Sequence, residues 1–133
     1  MLRPFRFGVA NWETESGTAW TEFARRAESL GYARLLVPDH YLNQLSPVPA
    51  LTAAAAATTT LRVGCTVFAN DFRHPALLAK EAATIDLLSG GRFEFGLGAG
   101  WLKEEYDQAG LSFDEPSVRI SRMEESLAVI KGL

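Results

Sequence analysis

The sequence predicts an α/β fold, namely half of a (β/α)8 TIM barrel built from four βα units around a parallel sheet. Strand-like runs begin at Phe5, Ala33, Leu61 and Arg92, at intervals of 28 to 31 residues, and a helical pattern follows each run. Strands that alternate with helices at this spacing pair in parallel through right-handed crossovers. The near-constant interval favours a barrel over a doubly wound sheet. A complete barrel usually needs about 250 residues, and this chain of 133 residues supplies half of it.

The first two helices are predicted from the segments that follow the runs FRFGVA and ARLLVP. In TAWTEFARRAESLG the apolar side chains collect on one face, and a glycine follows where helices commonly end. That face consists of Trp20, Phe23, Ala24, Ala27 and Leu30, and the glycine is Gly31. The second helix, Pro47 to Thr59, is nearly all alanine and presents small side chains for close packing.

The last two helices follow the runs LRVGCTVF and RFEFGL. The third begins at Pro75, a residue suited to the first helical position, and ends at Gly90 or Gly91. The fourth is predicted from Ser117, as its N-cap, to Gly132. Its apolar residues recur at helical spacing, at Ile120, Met123, Leu127 and Ile130.

Composition restricts the class of protein. A net charge of −3 and a pI near 5.4 argue against nucleic acid or an anionic membrane as a partner. A hydrophobic fraction of 47% with 22% charged residues is typical of a soluble globular protein, so we expect residues 1–133 to form one domain. Cys65 has no second cysteine to pair with, and no secretory signal pattern opens the chain, so a cytoplasmic location is expected.

A four-stranded parallel sheet would leave its first and fourth strands unpaired at their outer edges and its inner face uncovered. A second copy, a partner chain, a swapped assembly or the rest of a longer protein could cover these surfaces. Of these possibilities we expect a homodimer or a higher homo-oligomer.

Functional groups are expected at the carboxyl ends of the parallel strands. His40 follows Asp39 after the second strand, where an imidazole can act as a general base or hydrogen-bond donor. His74 precedes Pro75, so a helix-capping role is favoured for it. Arg73 could take a phosphate or pair with Asp71.

Three other chemistries are weighed and disfavoured. A metal site formed by Asp39, His40, Asp71 and His74 lacks any metal-ligand spacing. Cys65 lies in the middle of a strand, where a thiol is normally inert. The GLGAG run fails the dinucleotide-binding pattern, because it follows the fourth strand and lacks the required acidic residue. Its glycines permit close approach either of a cofactor or of neighbouring protein.

Three stretches together resemble the luciferase-like monooxygenase family, in particular its branch that uses the deazaflavin coenzyme F-420. They are RLLVPDHY, the segment from LRVGCTVFANDFRHP through GRFEFGLGAGWLKEEYDQAGLSF, and RISRMEESLAVIKGL. The resemblance implies a barrel that binds FMN or coenzyme F-420 at the carboxyl ends of its strands. It also implies an oxidoreductase that transfers a hydride at the cofactor ring and acts on a small organic substrate.

By its position in the motif, His40 is implied by the resemblance to be the catalytic residue beside the reactive ring of the cofactor. The implied cofactor-binding residues are Asp39, Thr66, Val67, Gly98, Ala99, Gly100 and Glu104. The peptide bond between Thr66 and Val67 is expected to be cis and to lie behind the ring. Asn11, Trp12 and Trp101 are assigned to the substrate pocket.

Trp101 departs from a pattern within the family. Some deazaflavin-dependent sugar-phosphate dehydrogenases carry an acidic glutamate at this position, and indole cannot replace it in proton transfer. A flat apolar substrate is therefore favoured over a sugar phosphate. The alternative to an enzyme is a non-catalytic flavin-binding half-barrel module, or a scaffold that assembles with a second copy or a partner chain.

Overall fold

The computed structural model describes residues 5–133, which form strands alternating with helices. The strands are β1 (Gly8–Ala10), β2 (Arg34–Val37), β3 (Arg62–Cys65), β4 (Phe68–Ala69), β5 (Phe93–Glu94) and β6 (Leu97–Gly98). The helices are α1 (Gly17–Ser29), α2 (Pro47–Ala57), α3 (Pro75–Ser89), α4 (Lys103–Ala109) and α5 (Pro116–Gly132), with a 3-10 turn at Asn70–Phe72. The four predicted βα units are confirmed.

All of the strand pairs are parallel, and the strands lie in the order in which they occur along the chain. The main sheet has the order β1-β2-β3-β5, and β4 pairs with β6 as a short continuation. A doubly wound sheet would reverse its strand order at a switch point, whereas a barrel adds each strand on the same side of the last one. The observed order is therefore that of half a barrel.

The third and fourth predicted strands are each divided into two short pieces. The first division lies between Cys65 and Phe68, and the second between Glu94 and Leu97. The two divided strands remain hydrogen-bonded to each other beyond the divisions, because the Phe68 N–H donates to the Gly96 carbonyl at 2.8 Å. The divided ends form the wall of the candidate site described below.

The core lies between the sheet and its outer helices. Leu35 and Val37 of β2 and Val63 of β3 are buried against the helices. The alanine-rich α2 packs closely, as predicted, with most of its inward-facing side chains fully buried. Within this layer the Trp20 indole donates to the Ala50 carbonyl at 2.8 Å, which satisfies a buried polar group.

The inner face of the sheet carries charges near its amino end. Glu94 lies between two arginines, with Arg34 at 3.1 Å and Arg62 at 2.8 Å. Gly64 leaves room for this cluster, since a Cβ there would lie 2.7 Å from the Glu94 carbonyl oxygen. The expected homo-oligomer that would cover this face stays a prediction. Within residues 5–133, no helix combines the length and the apolar character needed to cross a membrane.

Two predictions about the C-terminal region were wrong. Helix α4 was not predicted, and α5 begins at Pro116 with Glu115 at its N-cap, so Ser117 already lies inside the helix. Ile120, predicted to face inward, is exposed, and its neighbour Arg119 is buried instead. The reason is that the Arg119 guanidinium stacks over the Phe113 ring at 3.9 Å, which fixes the rotation of the helix.

The Glu28 carboxylate holds the loop that leads into β3. One of its oxygens accepts hydrogen bonds from the backbone N–H groups of Thr59, Thr60 and Leu61, at 2.6 to 2.9 Å. These bonds favour the charged form and lower the pKa of Glu28 from 4.5 to about 2, with the bond from Thr60 the largest cause. The carboxylate thus stabilises the folded protein above about pH 4.5, and this stabilisation is lost as the pH falls toward 2.

We expect Glu28→Gln to lower the thermal unfolding midpoint at pH 7, because a neutral amide oxygen accepts these hydrogen bonds less strongly. The difference from the wild type should shrink steadily between pH 4.5 and pH 2, where Glu28 itself takes up a proton. Thermal unfolding followed by circular dichroism at several pH values measures this. Glu22→Gln, at an exposed position of the same helix, is the matched control and should show no such trend. A difference that is independent of pH would contradict the assignment.

Candidate functional site

The centre of the candidate site is a hydrogen bond between His40 and Glu105. His40 follows β2, Glu105 lies on α4, and the distance from His40 Nδ1 to Glu105 Oε2 is 2.8 Å. The other carboxylate oxygen accepts from the Tyr41 backbone N–H at 2.7 Å, and Glu105 is only 2% exposed. An ionised carboxylate only accepts hydrogen bonds, so this contact requires the proton of a neutral His40 ring to lie on Nδ1, with Nε2 outside the pair.

Glu105 was not among the predicted site residues, whereas its neighbour Glu104 was predicted to contact the cofactor. Glu104 is exposed on α4 and does not line the cavity beside His40. The buried residues of α4 are Glu105 and Tyr106. Successive residues of a helix point in different directions, so a helix predicted over residues 103–109 would have distinguished the two glutamates.

A second buried carboxylate, Asp39, ties the end of β2 to the segments that follow β3. Arg73 donates to both of its oxygens, at 2.5 and 2.9 Å, and the Ala69 N–H donates to it at 2.9 Å. The suggested pair of Arg73 with Asp71 does not form, and the guanidinium instead makes a two-point pair with Asp39, which offsets its charge. Burial works against the charge on Arg73, but the hydrogen bonds to Asp39 together with the negative charges of Asp39 and Glu81 outweigh that cost and raise the pKa of Arg73.

Val67 forms the floor of the site. The Thr66–Val67 peptide bond is cis, which confirms the expectation from the resemblance. The Val67 side chain is 44% exposed and lies against two glycines. A Cβ on Gly96 would lie 2.9 Å from one of its methyl groups, and a Cβ on Gly98 would lie 2.6 Å from the other. These two glycines therefore make room for Val67.

Gly100 makes room for a different side chain. Its φ of +78° lies in the left-handed region, and a Cβ there would overlap the Tyr106 hydroxyl group. Of the two alternatives left open for the GLGAG run, close approach of neighbouring protein is the one that the structure shows at Gly98 and Gly100.

The Val67 cavity, about 310 Å³, opens at the carboxyl ends of the strands. It brings together eight of the predicted site residues, namely Asp39, His40, Thr66, Val67, Gly98, Ala99, Gly100 and Trp101. Four further lining residues were not predicted, namely Ala69, Phe72, Glu105 and Tyr106. Trp101 is 72% exposed and meets the His40 ring edge-on, with the ring centroids 6.0 Å apart.

A second space, the Trp12 cavity of about 450 Å³, lies on the β1 side of His40. It is lined by Trp12, Glu13, Pro38, His40, Leu42, Asn43 and Gln44. Asn11 lines an adjoining open depression together with Trp12. The structure thus separates Asn11 and Trp12 from Trp101, although the sequence placed all three in one pocket. His40 lines both cavities.

The remaining candidates have structural roles. His74 is the N-cap of α3, and its Nδ1 accepts from the Ala76 N–H at 3.2 Å, as the sequence favoured. Cys65 is buried, and burial raises the pKa of its thiol, so the thiolate needed for nucleophilic attack is disfavoured. In the part of the chain that the structure describes, no group of three or more ligand side chains could hold a metal ion.

The sequence profile of the luciferase-like monooxygenase family matches residues 1–133. The chain belongs to the luciferase-like monooxygenase family. Among its relatives is an F420-dependent glucose-6-phosphate dehydrogenase from Amycolatopsis mediterranei, 33% identical over 84% of this chain and 36% of the relative. Another is a 5,10-methylenetetrahydromethanopterin reductase from Methanopyrus kandleri, 34% identical over 80% of this chain and 30% of the relative. The chain thus spans about a third of these curated relatives.

Solved structures of the luciferase-like family have the same fold. The coenzyme F420-dependent tetrahydromethanopterin reductase of Methanopyrus kandleri aligns with a TM-score of 0.77 at 30% identity, over 90% of this chain and 38% of that one. The monooxygenase RslO1 of Streptomyces bottropensis aligns with a TM-score of 0.82 at 27% identity, over 95% of this chain and 42% of that one. The half-barrel fold is confirmed by these alignments.

We expect Gly98→Ala to displace Val67 and thereby distort the floor of the Val67 cavity. The overlap should lower the free energy of unfolding by about 1–3 kcal/mol, the usual cost of overpacking. Chemical denaturation measures this loss. Gly17→Ala is the matched control, because nothing lies within 4 Å of a Cβ at that position. Equal stability of the two variants would show that Gly98 is not needed to seat Val67.

Proposed function

We propose that this luciferase-like chain is the cofactor-binding part of an oxidoreductase that uses FMN or a deazaflavin. The observation that carries the proposal is that the His40–Glu105 pair stands beside the open apolar floor of the Val67 cavity. A proton-exchanging group next to a flat binding surface is what hydride chemistry on a ring cofactor needs. The relatives whose names state F420 dependence support the deazaflavin as cofactor.

The residues of the Val67 cavity fit a flat ring. Val67 packs against Gly96 and Gly98, which leave the space that its two methyl groups occupy, so the protein itself forms the floor. Phe72 and Trp101 add apolar surface at the sides, and the volume of about 310 Å³ lies at the lower end of the range for ligand sites. Since Asp39 and Arg73 neutralise each other, the floor presents no uncompensated charge to an aromatic ring.

When bound, the cofactor supplies hydride acceptance or donation at its central ring. The chain supplies orientation and proton transfer. Glu105 fixes the His40 ring by accepting from Nδ1, and Nε2 can then take a proton from the substrate or return it. The carboxylate also stabilises the imidazolium ion that forms when His40 takes up a proton. His40 is therefore the catalytic residue of this proposal, and Glu105 positions it.

We expect His40→Ala to leave cofactor affinity within a few-fold of the wild type, because the floor of the Val67 cavity is unchanged. Turnover should fall by about 10²- to 10⁴-fold, the usual contribution of a general acid or base. FMN binding is measured by quenching of FMN fluorescence and deazaflavin binding by absorption. Turnover is measured as cofactor reduction on addition of alcohols and sugars, including glucose 6-phosphate. Turnover unchanged in this variant would remove the assignment of His40.

Glu105→Gln should lower kcat by about 10- to 100-fold with KM and cofactor affinity within a few-fold. The amide keeps the shape of the side chain but loses the charge that stabilises the protonated ring. Glu104→Gln, one residue earlier on the same helix, is the matched control and should behave as the wild type. If the two variants lose turnover equally, Glu105 does not position His40. Cofactor binding without turnover in the wild type would favour the non-catalytic flavin-binding module.

A further inference from the structure

We propose that the Trp12 cavity binds a flat, uncharged apolar molecule and excludes anions such as phosphate esters. Its assignment as the substrate site rests on the proposed function, since it shares His40 with the Val67 cavity in which the cofactor would bind. The volume of about 450 Å³ would accommodate a molecule of two fused rings. The binding preference itself rests on the lining of the cavity alone.

The charge around the cavity is negative. Glu13 lines the cavity, Glu15 lines the adjoining depression, and no lysine or arginine among residues 5–133 lines either space. Arg73 lies beyond His40, but both of its terminal nitrogens are bound to Asp39. An anion in the cavity would therefore meet a carboxylate with no fixed cation to compensate it.

Apolar side chains beside His40 are partly exposed. Trp12 is 44% exposed and Leu42 is 50% exposed, and both line the cavity, so they offer apolar surface to a ligand. Flat aromatic ligands stack favourably on an indole ring. Asn43 and Gln44 line the same cavity, so their amides can hydrogen-bond a hydroxyl or carbonyl group on an otherwise apolar molecule.

The test compares two probes that share one ring system, 2-naphthol and 2-naphthyl phosphate. Binding is measured by titration calorimetry at neutral pH, with the protein both free of cofactor and loaded with it. We expect 2-naphthol to bind at least about tenfold more tightly than the phosphate ester in both forms. Equal or tighter binding of the phosphate ester would overturn the proposal. Failure of the protein to bind cofactor would contradict the proposed function, while the cofactor-free titration would still test the cavity.

Two variants test whether the probes bind in the Trp12 cavity. Glu13→Gln should reduce the ratio of the 2-naphthol affinity to the 2-naphthyl phosphate affinity by several-fold, because it removes the negative charge that lines the cavity. The affinity for 2-naphthol itself should be unchanged. Trp12→Ala should weaken 2-naphthol binding by about fivefold or more, through loss of the stacking surface. Glu22→Gln, at an exposed position of α1, is the control for a general effect of charge. If neither Glu13→Gln nor Trp12→Ala changes binding, the probes bind elsewhere and the assignment fails.

Discussion

The buried carboxylate of Asp39 is the constraint on which the candidate site depends. It joins three segments, since it belongs to the turn after β2, accepts from the Ala69 N–H in β4, and binds both terminal nitrogens of Arg73. A buried charge of this kind is costly unless it is paired and hydrogen-bonded, and here every partner lies on a different segment. The pairing therefore stabilises the fold only when β2 and β4 stand in the register that brings His40 to the site.

The two neighbouring carboxylates, Asp39 and Glu105, have partners of different kinds in this arrangement. Asp39 neutralises Arg73 and is fully engaged, whereas Glu105 faces an imidazole whose charge can change. The first pair joins two opposite charges, whereas the second joins a carboxylate to an imidazole. Because His40 directly follows Asp39, the Asp39–Arg73 pair helps to set the position of the His40–Glu105 pair. His40 also forms part of the walls of both cavities.

The sequence predicted the features that repeat and missed those that depend on single distant contacts. The helical and strand periodicities of α1, α3 and β2 extend over enough residues to be recognised, and a strand end is enough to locate His40. Helix α4 has only 7 residues, too few to show periodicity, so the helix was not predicted and Glu105 was not recognised as a buried residue. The partner of Arg73 is 34 residues away, whereas the sequence suggested a neighbour two positions away. The division between β3 and β4 is likewise invisible in the uninterrupted run LRVGCTVF.

The contacts of Tyr106 fix the short helix α4, which carries Glu105. The Tyr106 hydroxyl donates to Asp71 at 3.2 Å, and burial followed by the charge of Asp71 raises its pKa to about 12, so it stays protonated. Arg122 of α5 donates to the same Asp71 oxygen at 2.9 Å. The absence of a Cβ at Gly100 is what admits the hydroxyl group to this position. The packing of α5 is thus linked to His40 through Asp71 and α4, and Gly100 affects the His40–Glu105 pair indirectly, by letting α4 approach the loop after β6.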